Sequence, residues 1–268
     1  MAKLAVIGGS GLDNFDGLQK IESISQDTPF GSHSAPIIKG QLLNQGDSSS
    51  EQGSHTDRVI FLPRHGADHT LAPHRVNYRA NIWMLNQLGV ERILACSVIG
   101  GVSEQMSPGM FVVPDQIIDY TYGREQTFFD GNERHLQHVD FTEPYSQNMR
   151  EQLLACLRQC QVPHQSEATY GCTQGPRLET AAEVKRLRRD GCDIVGMTAM
   201  PEAVLARELG MEYVGLSLVV NWAAGMEDDI LSMDAIANTI KMGMNQLTKL
   251  LPDLINTLNP AGHKSSRP

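Results

Sequence analysis

Cys192-Asp193-Ile194-Val195-Gly196-Met197-Thr198-Ala199-Met200-Pro201-Glu202 lies at the centre of a longer stretch, Tyr170–Met226, whose pattern decides the fold. An apolar run, Asp193–Met197, stops at a short polar punctuation. A helical pattern, Ala203–Leu209, follows it. The same alternation flanks it on both sides. Upstream, Gly175-Pro176-Arg177-Leu178-Glu179-Thr180 opens a helical pattern carried by Ala181, Ala182, Val184 and Leu187. Downstream, the apolar run Tyr213–Val220 ends at Asn221-Trp222-Ala223. Short apolar runs alternating with amphipathic helices predict an α/β architecture. In such folds ligands bind where strands end and helices begin. Glu179, Met197, Thr198 and Asn221 are therefore the first residues to consider for a small polar ligand, although each alone also suits a cap or a turn.

Further out, the same punctuation recurs. Leu4–Ile7 predicts a buried first strand that runs into Gly8-Gly9-Ser10-Gly11. Glycines let the backbone turn sharply and bring amides close to an anion, and Ser10 adds a hydroxyl. A dinucleotide fingerprint would need a third glycine where Asn14 stands, and a phosphate-loop motif would need a following lysine. The pattern thus favours an anion-cradling turn or a plain turn. Val59–Leu62 stops at Pro63-Arg64-His65-Gly66, where Arg64 is a permanent cation with a fork of donors suited to an oxyanion. Ile93–Ile99 ends in Gly100-Gly101, with Ser97 as an anion donor or a core hydroxyl. His65, His69 and His74 invite a metal reading, but Gly66 and Pro73 interrupt the spacing and no third ligand type is in step.

The remaining chain predicts a strand pair at Ala35–Leu43 and Arg58–Leu62, joined by a polar Ser/Gly-rich surface loop at 44–57. It predicts helices at Ala80–Leu88, about Ser146–Cys160 and about Ser232–Leu251, with Gly89 at a C′ position. Pro108–Ile118 reads as a strand region, Asp119–Gly131 as a loop or subunit interface, and 259–268 as a frayed tail. The 268 residues are enough for a large core. A net charge of −9 argues against nucleic acid or an anionic membrane as partner. Five cysteines without a C-x-x-C pair suit reduced thiols and a cytoplasmic location. The apolar run at Leu4–Ile7 is too short for a signal peptide or a spanning helix.

Four motifs occurring in order carry a resemblance. They are Gly8–Leu12; Arg64-His65-Gly66 with Val76–Trp83; Gly175–Thr180; and Met197–Glu202. Together they resemble the trimeric purine nucleoside phosphorylase and methylthioadenosine phosphorylase family over roughly Leu4–Leu251. The resemblance implies a single domain over 1–258, a twisted mixed β-sheet surrounded by helices, assembled as a homotrimer. It implies phosphorolysis of a purine N-glycosidic bond, with inorganic phosphate as co-substrate, no other cofactor and no metal. By the same resemblance Ser10, Arg64, His65, Ser97, Val98 (through its amide) and Thr198 are phosphate ligands. Met197 packs on the ribose, and Asn221, Trp222, Ala223 and Glu179 surround the base, Asn221 and Glu179 acting in catalysis. His138 resembles the histidine that a neighbouring subunit brings over the 5′ group.

The substrate follows from donors and acceptors. An ionised Glu179 only accepts hydrogen bonds, so it suits the N1–H of a 6-oxopurine and repels the N1 lone pair of adenine. Adenine-cleaving members place aspartates where this chain has Asn221 and Ala223, and a small residue at Glu179. Ordinary nucleoside members carry a histidine near Met233, whose apolar side chain suits a methylthio group better than a hydroxyl. Together these imply S-methyl-5′-thioinosine. A general 6-oxopurine nucleoside phosphorylase, a methylthioadenosine phosphorylase, a non-catalytic nucleoside-binding module and a nucleotide-dependent oxidoreductase are the alternatives.

Overall fold

In a computed structural model the described residues are 3–12, 17–42, 58–131, 136–227 and 232–259. Asn14, the loop at 44–57 and residues 260–268 lie outside them. In chain order the strands are β1 (Leu4–Gly8), β2 (Leu18–Ile24), β3 (Ile37–Leu42), β4 (Arg58–Pro63), β5 (Arg92–Gly101), β6 (Phe111–Val112), β7 (Gln116–Asp119), β8 (His164–Gln165), β9 (Thr169–Cys172), β10 (Ile194–Gly196) and β11 (Glu212–Trp222). The helices are α1 (Tyr78–Gln87), α2 (Gln147–Gln159), α3 (Ala181–Arg189), α4 (Ala199–Glu208) and α5 (Met233–Leu258). The strands form one mixed sheet, in the order β2-β3-β4-β1-β5-β10-β9-β7, with β11 on β5 and β6.

The long strand β5 organises this sheet. Its first half pairs in parallel with β1, from Leu4↔Arg92 to Ile7↔Ala95. Its far end pairs antiparallel with β10, at Ile194↔Gly101. Along its length it pairs in parallel with β11. β1 also pairs in parallel with β4. The carboxyl ends of β1, β4, β5 and β11 therefore face one edge of the sheet, and the polar punctuations of the sequence leave from there.

Continuous apolar runs are needed because both faces of the sheet are covered. Ala5, Ile7, Ile60 and Leu62 pack in one core with residues of α1 and α4. Leu4, Val6, Val59 and Phe61 point the other way, into a core with α2 and α5. Side chains alternate across a strand, so one run feeds two cores.

Several helix ends match the sequence signals. Ser146 and Ser232 cap α2 and α5, each accepting a backbone N–H from three residues on. Gly89 follows α1 at φ +78°, the left-handed geometry of a C′ glycine. Two expectations need correction. α5 does not stop near Leu251 but continues through Pro252 to Leu258. Leu254, Ile255 and Leu258 are fully buried there, which outweighs the roughly 3 kcal/mol that an interior proline costs. Nor is Asn259 frayed: it is buried and its Nδ2 donates to the Arg58 carbonyl at 3.1 Å. The edge strand β2 has no counterpart in the sequence reading. Five of its seven residues are exposed, so it lacks the apolar signature of a strand.

No helix among the described residues is long and apolar enough to cross a membrane. All five cysteines are free thiols, and Cys160 alone of them is not fully buried.

Candidate active site

A cavity of about 580 Å³ opens at the strand edge just described. That size suits a small polar organic ligand. It is lined from β1 by Gly9 and Ser10, from β4 by Arg64 and His65, and from β5 by Ser97 and Val98. Met197 and Thr198 enter from the β10–α4 turn, Asn221 and Ala223 from β11, Glu179 from the loop before α3, and Met233 from α5. Eleven of the thirteen expected site residues thus share one space.

The other two do not. Trp222 lines a neighbouring cavity with Pro108, Ser232 and Thr239. Asn221 and Ala223 line both cavities, so Trp222 lies beside the site rather than within it. Its ring packs over Gly101, where an added Cβ would lie 3.2 Å from Trp222 Cε3. His138 is exposed and outside the cavity of its own chain.

Near β1 and β4 the backbone closes tightly. A Cβ on Gly9 would sit 2.7 Å from the Cys96 carbonyl oxygen and 3.1 Å from Arg64 Nη1, so this turn requires glycine. Arg64 is buried, yet it is not the free oxyanion fork expected from the sequence. Its Nε–H donates to Glu202 Oε2 at 2.7 Å and its Nη2–H to Oε1 at 2.9 Å. Nη1–H donates to the Cys96 carbonyl at 3.0 Å. Of five N–H donors three are therefore spent on the protein. Burial opposes the Arg64 charge, but the Glu202 carboxylate more than offsets this and holds the guanidinium firmly protonated. Tyr213 adds an O–H donor to Glu202 Oε1 at 2.9 Å. Glu202 closes the Met197–Glu202 motif, but nothing in the sequence shows it pairing with Arg64; only the fold brings the two together.

His65 donates from Nδ1 to the Leu71 carbonyl at 2.8 Å when neutral, leaving Nε2 as an acceptor. Burial, reinforced by the neighbouring Arg64 charge, lowers its pKa to about 4. His65 and His69 lie in a turn rather than on a helix, with ring centroids 4.8 Å apart. His69 adopts φ +52° and its Nε2 is 3.3 Å from Ser10 Oγ. It lines the cavity without having been expected there except as part of a metal trio. Ser97 Oγ is paired with Ser217 Oγ at 2.9 Å. Thr198 is buried at the N-cap of α4 and makes no capping bond; its hydroxyl lies beside the buried Tyr170 phenol.

The opposite wall is built by β9, β10 and the loop after β9. Gly175 adopts φ +59°, and a Cβ there would meet Met197 Sδ at 2.4 Å, so this loop too requires glycine. Thr173 Oγ1–H donates to Glu179 Oε1 at 2.6 Å. Asn221 Nδ2 donates to the Trp222 carbonyl at 2.7 Å. The Asp119–Gly131 segment, expected as loop or interface, supplies a clamp for this wall. Arg124 donates to the carbonyls of Met197, Met200, Thr173 and Gln174 at 2.9, 2.6, 3.3 and 2.9 Å. Its guanidinium also stands 5.5 Å from the Tyr78 ring centroid. A fork of five donors is what lets one side chain hold two loops. The mouth is apolar and open: Leu178 is 45% and Met233 67% exposed.

The cavity thus combines a turn rich in hydroxyl and amide donors with a half-buried carboxylate and a carboxamide. It can hold an anion at one group and a polar ring at the other. The chain matches the phosphorylase superfamily model over residues 3–256 and belongs to that family. It is 45% identical over 256 residues to a probable S-methyl-5′-thioinosine phosphorylase of Pseudomonas syringae pv. tomato, covering 96% of this chain and 99% of that one. It is 42% identical to a 6-oxopurine nucleoside phosphorylase of Pyrococcus furiosus, covering 94% and 91%. Among solved structures, the methylthioadenosine phosphorylase of Schistosoma mansoni in complex with adenine superposes with a TM-score of 0.85 at 29% identity, covering 95% and 91%.

Proposed function

We propose that this chain catalyses phosphorolysis of S-methyl-5′-thioinosine, yielding hypoxanthine and 5-methylthioribose 1-phosphate. The observation that carries the proposal is Glu179, a carboxylate on the cavity wall with Oε2 free of any donor among the described residues. It stands in a cavity that Asn221 and Ala223, rather than two aspartates, also line. A carboxylate accepts from the N1–H of hypoxanthine and is mismatched to adenine N1. Mispaired polar groups of this kind can reject a substrate by about 10⁴-fold.

A phosphate oxygen forms a bond to the anomeric carbon as the C1′–N9 bond breaks. The electron pair leaves with the purine, which takes up a proton. Positive charge develops on the sugar and negative charge on the base, so the protein must hold the dianion and stabilise the departing ring. Ser10, Ser97, the Val98 amide and Thr198 donate to the phosphate, with Arg64 fixed behind them, and the neutral His65, whose N–H goes to Leu71, offers Nε2 as an acceptor for the O–H of a monohydrogen phosphate. Asn221 donates to the purine as charge arrives, and Met197 and Met233 pack along the sugar. Inorganic phosphate is the only co-substrate in this scheme, and no metal takes part. The enzyme acts as a cytoplasmic homotrimer, in which His138 of a neighbouring subunit covers the 5′ group. The open apolar mouth and the exposed position of His138 support that arrangement.

A second reading, a general 6-oxopurine nucleoside phosphorylase, shares the base wall and differs only at the 5′ end. The exposure of Met233 favours it, because a methionine open to solvent selects weakly between a methylthio group and a hydroxyl. Initial rates with methylthioinosine, methylthioadenosine, inosine and guanosine, each with and without phosphate, decide among these. Methylthioinosine should be turned over fastest and only with phosphate present. Fastest cleavage of methylthioadenosine would overturn the base assignment, and fastest cleavage of inosine the sugar assignment. Binding without phosphate-dependent turnover would leave a nucleoside-binding module.

A further inference from the structure

Glu179 sits in the loop between Gly175 and the N-cap of α3, and no ion pair fixes it among the described residues. A glutamate has three rotatable bonds, so a free side chain in a half-open cavity would sample several positions. One donor holds it. Thr173 follows directly on β9, and its backbone N–H still donates to the Gly196 carbonyl at 2.8 Å, extending the β9–β10 ladder by one residue. The Thr173 carbonyl is gripped from the other side by Arg124. The backbone at Thr173 is thus fixed at two points.

Its hydroxyl has one hydrogen and two acceptors within reach. Glu179 Oε1 is 2.6 Å away and the Gly196 carbonyl 3.3 Å. Glu179 Oε1 is both the nearer and the charged acceptor, so the hydroxyl hydrogen goes to Glu179. A hydrogen bond to a carboxylate at this length is of the strong, charge-assisted kind. Oε1 is thereby occupied and Oε2 is left as the acceptor.

We infer that Thr173 is a positioning residue for base selection: its hydroxyl orients Glu179 so that a single carboxylate oxygen is presented to a ring N–H of an oxopurine. Thr173 does not line the cavity itself, so it acts through Glu179. The inference rests on the oxopurine reading above. A valine has the shape of threonine without the hydroxyl, so it removes the bond and little else.

Thr173→Val should lower kcat/KM for methylthioinosine by about tenfold or more, the order expected for losing one hydrogen bond to a charged group. Turnover of methylthioadenosine, which gains nothing from an oriented acceptor, should change by less than about threefold. Thr173→Ser keeps the hydroxyl and should return the methylthioinosine value to near that of the wild type. A purely structural role would lower both substrates together and leave their ratio unmoved. Thermal unfolding checks that each variant is folded, and Thr173→Ala is the second variant if valine is not accommodated. Hypoxanthine affinity, measured by calorimetry, should weaken in parallel with the methylthioinosine rate. If the wild type prefers an oxopurine substrate and Thr173→Val keeps that ratio, this inference alone is overturned. If the wild type prefers methylthioadenosine, the functional reading fails and this inference falls with it.

Discussion

The charge pair beneath the cavity gives the most demanding prediction. Arg64 and Glu202 have side chains only 1% exposed, and their closest approach is 2.7 Å. Glu202→Gln keeps the shape and removes the charge. The carboxamide can accept from one Arg64 nitrogen, but its own NH₂ then faces another donor. Arg64 cannot escape by losing its proton, because guanidinium stays charged in proteins. Two unit charges at about 4 Å attract by about 4 kcal/mol at an effective dielectric constant of about 20. Removing one partner of a buried pair typically costs about 3–5 kcal/mol. The two figures agree, and either is a large share of the roughly 5–15 kcal/mol that holds a domain together. Urea unfolding followed by circular dichroism should show that loss. Added inorganic phosphate should recover part of it, since a bound dianion can replace the missing counter-charge. Replacing both residues, Arg64→Met with Glu202→Leu, should be milder than Glu202→Gln alone. A loss below about 1 kcal/mol in Glu202→Gln, unresponsive to phosphate, would refute the assignment of this pair as the support of the cradle.

Three other outcomes can be checked beside it. His65 has its pKa lowered from 6.5 to about 4, so below pH 6.5 the unfolded chain binds a proton that the folded one refuses. Its contribution is complete above pH 6.5 and is lost as pH falls towards 4, by up to about 3 kcal/mol, so His65→Asn should flatten the stability profile across that window. Arg124→Met should cost about 3 kcal/mol and raise KM for the nucleoside, whereas Arg124→Lys restores the charge but not the fork and should recover only part of both. The triple change Asn221→Asp, Ala223→Asp and Glu179→Ser should shift the ratio of specificity constants towards methylthioadenosine, and an unmoved ratio would show that base choice is set elsewhere.

What the sequence reveals and conceals here has a consistent physical basis. Runs such as Leu4–Ile7 and Ile93–Cys96 are buried on both faces, so they are apolar without interruption and easily read as strands. Thr180 followed by Glu183 forms a capping box, a local device written in local sequence. By contrast, β2 is stabilised by pairing at a solvent-exposed edge, which leaves little trace in side-chain pattern. The site divides in the same way. Ser10, His65, Thr198 and Asn221 stand at strand ends, where punctuation marks them. Glu202, Arg124 and Thr173 act across sequence separations of 138, 73 and 6 residues. The first two depend on tertiary contact. Thr173 is close in sequence to Glu179, but nothing local shows that the intervening loop folds back. Trp222 shows the converse error: it follows Asn221 directly, yet it lines only the adjoining cavity, which Asn221 shares with the first.

The electrostatics of the cradle lead to one further test. A chain of net charge −9 is proposed to bind a dianion at a place where Arg64 is cancelled by Glu202 and burial keeps His65 neutral. Oriented amides and hydroxyls, rather than net positive charge, must then supply the attraction, as fixed dipoles do in water-excluded sites. Salt distinguishes the two cases. A cationic nest would lose affinity as ions screen it, whereas short donor contacts are insensitive and the overall repulsion is weakened. Between about 0.02 and 0.3 M potassium acetate, where the screening length falls from roughly 20 to under 10 Å, KM for phosphate should stay level or fall. A rise of about tenfold over that range would show that uncompensated cations hold the phosphate, and that the Arg64–Glu202 pair opens when it binds.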